Sequence, residues 1–242
     1  MVQSTKANRL SPAQLEELRQ LSTCVTASAI ETFGVRMHNA GFAGSSIGCV
    51  FKELPGVVGY AATARIRSAN PPMEKHGYFY YDRADWWNHI LTIPVPRIVV
   101  IEDLDEHPGL GAFVGAVHAH ILKALGCIGL VTNGAVRDLA EIRSTGLHLF
   151  ASHVAVSHAY AHVFDFGGEV RVGGLKIAPG DLIQGDVHGL QTIPLEIADR
   201  VPAVAQEILK RRKRLMEFTR SNDFSVERLQ ELMKQEEKES SV

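Results

Sequence analysis

The chain has 242 residues, 45% hydrophobic and 21% charged, with a formal net charge of −2, which suits one large domain, or two small ones, with a substantial core. Near-neutrality excludes the global basic field on which nonspecific nucleic-acid binding relies. With no apolar segment of the secretory kind at its start and no long uncharged apolar stretch, the chain reads as a cytoplasmic-type protein with no nucleic-acid or membrane partner.

Ser11–Pro12 opens a first helix with a cap and a first-turn proline. Leu15, Leu18 and Leu21 share one face, so the helix is expected to run to about Leu21. A second helix is expected from Thr23 or Thr26 to Gly34. The chain is glycine-rich between Gly41 and Gly59, with Val57–Val58 and Ala61–Arg67 reading as strand. Asn70 to Ile90, "NPPMEKHGYFYYDRADWWNHI", reads as a proline-broken insertion or lid dense in aromatics (Tyr78, Phe79, Tyr80, Tyr81, Trp86, Trp87). Such a cluster marks either an interface or a flap packed on its own subunit.

Arg97 to Asp103, "RIVVIED", is a buried strand ending in acid, and a helix is expected from about Leu110 to Leu125. "CIGLVTN" is the next buried strand, expected to end in a glycine turn at Asn133–Gly134, followed by a short helix from Leu139 to Ser144. A β-rich half comes next, with a hairpin turning at Gly173–Gly174. Pro202 opens a C-terminal helix, a second amphipathic helix covers roughly Ser225 to Glu237, and the last residues are expected to fray. Cys24, Cys49 and Cys127 lie far apart among apolar or small neighbours, the pattern of buried free thiols.

"GLGAFVG", Gly109 to Gly115, looks like a dinucleotide fingerprint, but the acids Glu102, Asp103, Asp105 and Glu106 stand between it and the strand and would repel a pyrophosphate. The helix start is still informative, because free first-turn amides near Gly115 to His118 make an anion site suited to a small carboxylate. If the intervening helix is an ordinary crossover, the two buried strands lie side by side and "NGAVRD" falls on the same sheet edge as that helix start. Arg137 and Asp138 then share a cleft. A guanidinium pairs a carboxylate in bidentate fashion, and one aspartate with waters can hold a hard octahedral cation. The constellation suits a small 2-oxo acid bound with Mg2+ or Mn2+; the alternative is an Arg–Asp pair that staples a loop.

From "VVGYAATAR" through "LGCIGLVTNGAVRDLAEI" to "GDLIQGDVHGLQTIP" the chain resembles the RraA-like superfamily over roughly Thr23 to Val204. That group includes class II 4-hydroxy-4-methyl-2-oxoglutarate/4-carboxy-4-hydroxy-2-oxoadipate aldolases and the regulators of ribonuclease E activity. The absence of repeats and of an obvious linker favours a single domain over 1–242 with helical arms at both ends, its core at about 23–204 and its C-terminal arm at about 202–240. The resemblance implies an α/β, swivelling β/β/α fold. It further implies homotrimers or dimers of trimers with sites between subunits, Asp138 as metal ligand and Arg137 as the pyruvate-binding arginine. The substrate would rest on the backbone of Gly115, Ala116, Val117 and His118, and Glu217 of a neighbouring subunit is the best match for a further acid. The activity implied is a carbon–carbon lyase on small 2-oxo acids, by retro-aldol cleavage or oxaloacetate decarboxylation; the alternative is a non-catalytic regulator that binds a ribonuclease or other protein.

The sequence departs from the aldolase pattern at Ala116, where the aldolases carry an acid that helps hold metal-bound water. His120 lies one helical turn further on, within reach of a substitute role, although the plainer reading is a surface or core histidine. His148, His153, His158 and His162 show no zinc-like spacing and read as structural or interface residues, and Asp186 reads as a turn former.

Overall fold

The computed structural model describes residues 9–72 and 84–240. Its elements are, in order, α1 (Pro12–Gln20), α2 (Thr23–Thr32), β1 (Gly48–Cys49), β2 (Val57–Arg67), α3 (Ala84–Thr92), β3 (Arg97–Asp103), β4 (Ala112–Val114), α4 (Ala116–Ala124), β5 (Cys127–Val136), α5 (Leu139–Ser144), β6 (His148–Val154), β7 (His162–Phe166), β8 (Val170–Val172), β9 (Leu175–Ile177), β10 (Leu182–Asp186), β11 (Gly189–Ile193), α6 (Val201–Thr219) and α7 (Val226–Ser240). The main sheet runs β1-β6-β5-β3-β2-β10-β11, with β4 added to β5 and β7 to β2. β2, β3, β5 and β6 are mutually parallel at its centre, and β10–β11 closes one side as an antiparallel hairpin.

The central strands are buried on both faces, which is why they read as unbroken apolar runs. Val99 and Ile101 of β3 face the helices, whereas Ile98 and Val100 face the β8–β9 hairpin. β2 divides likewise, with Tyr60, Ala62 and Ala64 on the helical side and Val57 and Ala61 on the other. The result is the β/β/α layering expected, a small hairpin on a large sheet on helices. The hairpin turns at Gly173–Gly174, both with positive φ.

Ser11 and Gln14 form a capping box at the start of α1. Gln184 of β10 donates to the carbonyls of Leu18 and Leu21 at the end of that helix, and Gln191 of β11 donates to the Thr23 carbonyl. Two buried amides thus fasten the N-terminal helices to the sheet. Asp186 is the turn former expected, and it also accepts from the amide and hydroxyl of Thr23. At the other end α6 packs on α1 and α2, and α7 folds back along α6, where Glu236 receives a two-pronged bond from Arg214.

Four expectations are corrected. The helix expected from Leu110 starts only at Ala116, because Ala112–Val114 is a strand: all three residues are buried, and Ala112 and Val114 pair with an extended β5. The Asn133–Gly134 turn is not a turn. β5 continues through it to Val136, because the Asn133 side chain accepts from the Asp103 amide and donates to the Asp103 carbonyl, holding β5 to β3 just past their last ladder pair, Ile101–Thr132, while its register with β6 shifts. Residues 84–90, read as loop, belong to α3: Trp86 and Ile90, four apart, are buried on one helix face. Trp86 therefore packs in its own subunit, while Tyr78, Phe79, Tyr80 and Tyr81 lie outside the described residues. Cys24 is exposed on α2, whereas Cys49 and Cys127 are buried free thiols as expected.

Arg97 is the buried charge that ties the helical layer together. Its guanidinium donates to the carbonyls of Leu91 and Ile93 at the end of α3 and of Leu125 at the end of α4. Carbonyls at helix ends lack intrahelical donors and carry the negative end of the dipole, so a cation there is favoured. Arg97→Met would leave these acceptors unmet in a buried place, at a cost of about 3 kcal/mol. Thermal denaturation is expected to show the midpoint lowered by roughly 6–12 °C; an unchanged midpoint would mean that water replaces the guanidinium.

Candidate functional site

β3 and β5 lie side by side and parallel, so the end of β5 and the β4–α4 junction meet on one sheet edge. The Arg137 amide bonds to the Val114 carbonyl, which fixes the turn after β5 against the junction before α4. Between these elements is a small cleft of about 70 Å³, lined by Ala112, Phe113, Gly115, Ala116, Val117, His118, Arg137 and Asp138. That is room for several water-sized groups, the scale of a carboxylate head group.

Asp138 carries the unusual backbone. Its φ of 56° and ψ of 46° place it in the left-handed region, which costs a non-glycine residue of order 1 kcal/mol. It stands at the N-cap of α5 yet makes no side-chain cap there. Instead Oδ2 accepts from the Ala116 amide of α4 at 2.9 Å. The carboxylate is turned out of its own helix and across the cleft.

Arg137 lies beside it, Nε to Oδ2 at 3.6 Å, with both side chains a little over one-third exposed. That separation is too long for a hydrogen bond, and an exposed pair of this kind adds little stability. Gly115 makes room for both: a Cβ there would stand 2.5 Å from Asp138 Oδ2 and 3.2 Å from Arg137 Nε. With Ala119 N–H bonded to the Gly115 carbonyl as the first helical bond, the amides ahead of it lack intrahelical acceptors, and one is met by Asp138.

Most of the other candidates fall outside the cleft. His118 is buried, and burial pushes its imidazole down to about 4 despite a backbone acceptor at Phe113, so it is neutral near pH 7. His120 is exposed and does not line the cleft, which leaves the substitute role without support. Glu217 is exposed near the end of α6, 3.8 Å from Lys213, and is no part of this protomer's cleft. His148 is buried, whereas His153 and His158 are exposed and His162 is half-buried. Asp103 and Asp105, the acids before the glycine-rich stretch, accept backbone amides of Gly109, Asp105, Ser68 and Ala69 and so brace their own loop. Sequence reasoning missed the role of Asn133 in holding the ends of β3 and β5 together. An amide side chain where the strand was thought to stop is the signal that it left.

The donor set limits what the cleft can hold. Among the described residues no group of three His, Cys, Asp or Glu could ligate a metal ion. Asp138 is the one carboxylate lining the cleft, with one oxygen engaged by Ala116. That set fits a hard cation that keeps several waters and takes further oxygens from its ligand, and does not fit an all-protein cage. No helix among the described residues is long and apolar enough to cross a membrane.

Known proteins resemble the chain at several levels. Protein DlpA of Legionella pneumophila is 29% identical over 126 residues, 51% of this chain but 20% of that protein. A protein of Halalkalibacterium halodurans, provisionally named a 4-hydroxy-4-methyl-2-oxoglutarate aldolase, is 30% identical over 84 residues. That segment is 34% of this chain and 40% of that protein, so the chain spans well under half the length of both relatives. The crystal structure of Streptomyces coelicolor RraAS2, described as an unusual member of the RNase ES inhibitor RraA protein family, superposes with a TM-score of 0.65. It is 19% identical and covers 88% of this chain and 98% of that one, a likeness of fold alone. The RraA-like family model, described as Aldolase/RraA, matches residues 23–191. Since that match takes in well over half of its length, the chain belongs to the RraA-like family.

Proposed function

We propose that the protein is a divalent-metal-dependent lyase that breaks a carbon–carbon bond in small 2-oxo acids, by retro-aldol cleavage of 4-hydroxy-2-oxo acids, oxaloacetate decarboxylation or both. The family includes metal-dependent aldolases and non-catalytic regulators, so membership leaves both open. The observation that carries the lyase reading is Asp138, a strained residue that forgoes capping its own helix and points its carboxylate into a cleft beside a guanidinium. Strain of this kind is kept where the surroundings over-determine it, often at sites of chemistry.

In this reading the substrate carboxylate lies on Arg137 and the first-turn amides of α4. Mg2+ or Mn2+, held by the remaining Asp138 oxygen, would supply Lewis-acid polarisation of the 2-oxo group. When the bond between C3 and C4 breaks, its electrons move toward the 2-oxo oxygen and leave the enolate of pyruvate; the C4 fragment departs as carbon dioxide from oxaloacetate, or as an aldehyde or ketone once its 4-hydroxyl has given its proton to solvent. Arg137 stabilises the charge as it develops, and a solvent proton at C3 completes pyruvate. The His118 ring is packed away from solvent, so among the lining residues no imidazole is left to carry that proton. Glu217 of a neighbouring copy, in a trimer or dimer of trimers, would complete the outer wall. The test is pyruvate release from oxaloacetate and from 4-hydroxy-2-oxo acids with Mg2+ or Mn2+. Turnover no faster than an enzyme-free metal control rejects the lyase.

One observation favours the second reading, a regulator acting by protein contact: the acid that the aldolases carry is here Ala116, and no second carboxylate lines the cleft. Ala116→Asp separates the two. In a weakened aldolase the added carboxylate would order water beside the cation and raise pyruvate release by roughly 10–100-fold. Its position in the first turn of α4 offsets part of its burial cost. In a regulator the substitution leaves pyruvate release at the metal-only rate.

A further inference from the structure

α4 begins in an unusual way. Its N-cap is Gly115, which has no side chain to hold the first-turn amides. In a capping box the third helical residue reaches back to the N-cap backbone. Here the third residue, His118, reaches past Gly115 altogether, and its Nδ1 lies 3.1 Å from the carbonyl of Phe113 in β4. A carbonyl only accepts, so Nδ1 carries the proton and the tautomer is fixed. The ring also stands edge-on to Phe113, centroids 4.6 Å apart, and edge-on to Trp87 of α3 at 5.0 Å. At their far ends α3 and α4 are joined by the Arg97 guanidinium.

We propose that the His118 imidazole is a positioning residue that spans the glycine hinge between β4 and α4 and so sets the first-turn amides against Arg137 and Asp138, with Trp87 as its backstop. Glycine leaves the backbone at that junction sterically unguided. The guidance comes from one side chain bonded to the strand before the hinge and belonging to the helix after it. α3 and α4 then behave as one body, held by Trp87–His118 near the start of α4 and by Arg97 at the ends of both helices. The ligand part of the proposal rests on the reading of the cleft as a carboxylate site; the brace itself does not.

The experiment compares His118→Phe, which keeps a ring but loses the donor, with His118→Asn, whose amide nitrogen can take the place of Nδ1. Hydrogen exchange of the segment 113–119 is measured in the full-length protein, and pyruvate affinity in the presence of Mg2+ is measured by calorimetry. Loss of one hydrogen bond of ordinary strength is expected to speed exchange there, and weaken pyruvate, by about 10-fold in His118→Phe. His118→Asn is expected to stay within about 3-fold of the parent in both. Exchange at 113–119 that is unchanged in His118→Phe, or raised equally in both variants, overturns the brace. If the parent binds no pyruvate, the reading of the cleft fails, and the exchange comparison still decides the brace. Should His118→Phe not fold, Trp87→Leu takes its place. It is expected to raise exchange at 113–119 about 3-fold, and parental exchange there counts against the proposal.

Discussion

Asp138→Asn is expected to lower metal-dependent pyruvate release by about 100-fold or more while leaving the fold intact. Asparagine tolerates the left-handed backbone that Asp138 adopts, so the turn keeps its shape. Its carbonyl oxygen still accepts from the Ala116 amide, so the start of α4 keeps that bond. What disappears is the negative charge, and with it the grip on a divalent cation. Steady-state assays across a Mg2+ or Mn2+ series, paired with a thermal melt, read both halves. Parental turnover in Asp138→Asn, or in the unaltered protein after exhaustive chelation, removes the metal from the mechanism.

Arg137→Ala is expected to reduce kcat/KM by about 100–1,000-fold, the range for losing a donor aimed at developing negative charge. Affinity and turnover both suffer, with KM rising and kcat falling, because the guanidinium binds the carboxylate in the ground state and stabilises the enolate afterwards. Lysine is expected to recover no more than about 10-fold, since an ammonium lacks the planar fork. The melting temperature is expected to hold, because the side chain is over one-third exposed and its separation from Asp138 is 3.6 Å. A loop staple would give the opposite pattern: Arg137→Ala melts several degrees lower, and Arg137→Lys works as well as the parent.

The sequence disclosed the elements whose physics is local. The α1 cap, the hairpin at Gly173–Gly174 and the apolar runs of β3 and β5 depend on neighbours a few residues away. The parallel pairing of β3 with β5, and so the meeting of the α4 start with the Arg137–Asp138 turn, followed from the crossover between them. The missing parts depend on partners distant in the chain. β4 is three residues long and is a strand only because β5 runs on to receive it. β5 runs on only because Asn133 bonds to Asp103, thirty positions away. α3 was hidden by the prolines before it, although Trp86 and Ile90 carry helical spacing. Nothing in "VRD" announces that its aspartate adopts positive φ, since aspartate is at home in most turns.

Gly115 gives a criterion for sorting relatives without an assay. Any side chain there must displace the Asp138 carboxylate or the Arg137 stem, since even a methyl group would stand 2.5 Å from one and 3.3 Å from the other. A relative with glycine at this position has kept room for the pair, whatever stands where this chain has Ala116. One with alanine or serine there has to move the carboxylate from the place it takes here, even if its arginine and aspartate are still present. Among proteins that share this fold and differ in having chemistry, the absence of a side chain at one junction is thus a mark to read together with the charged residues it makes room for.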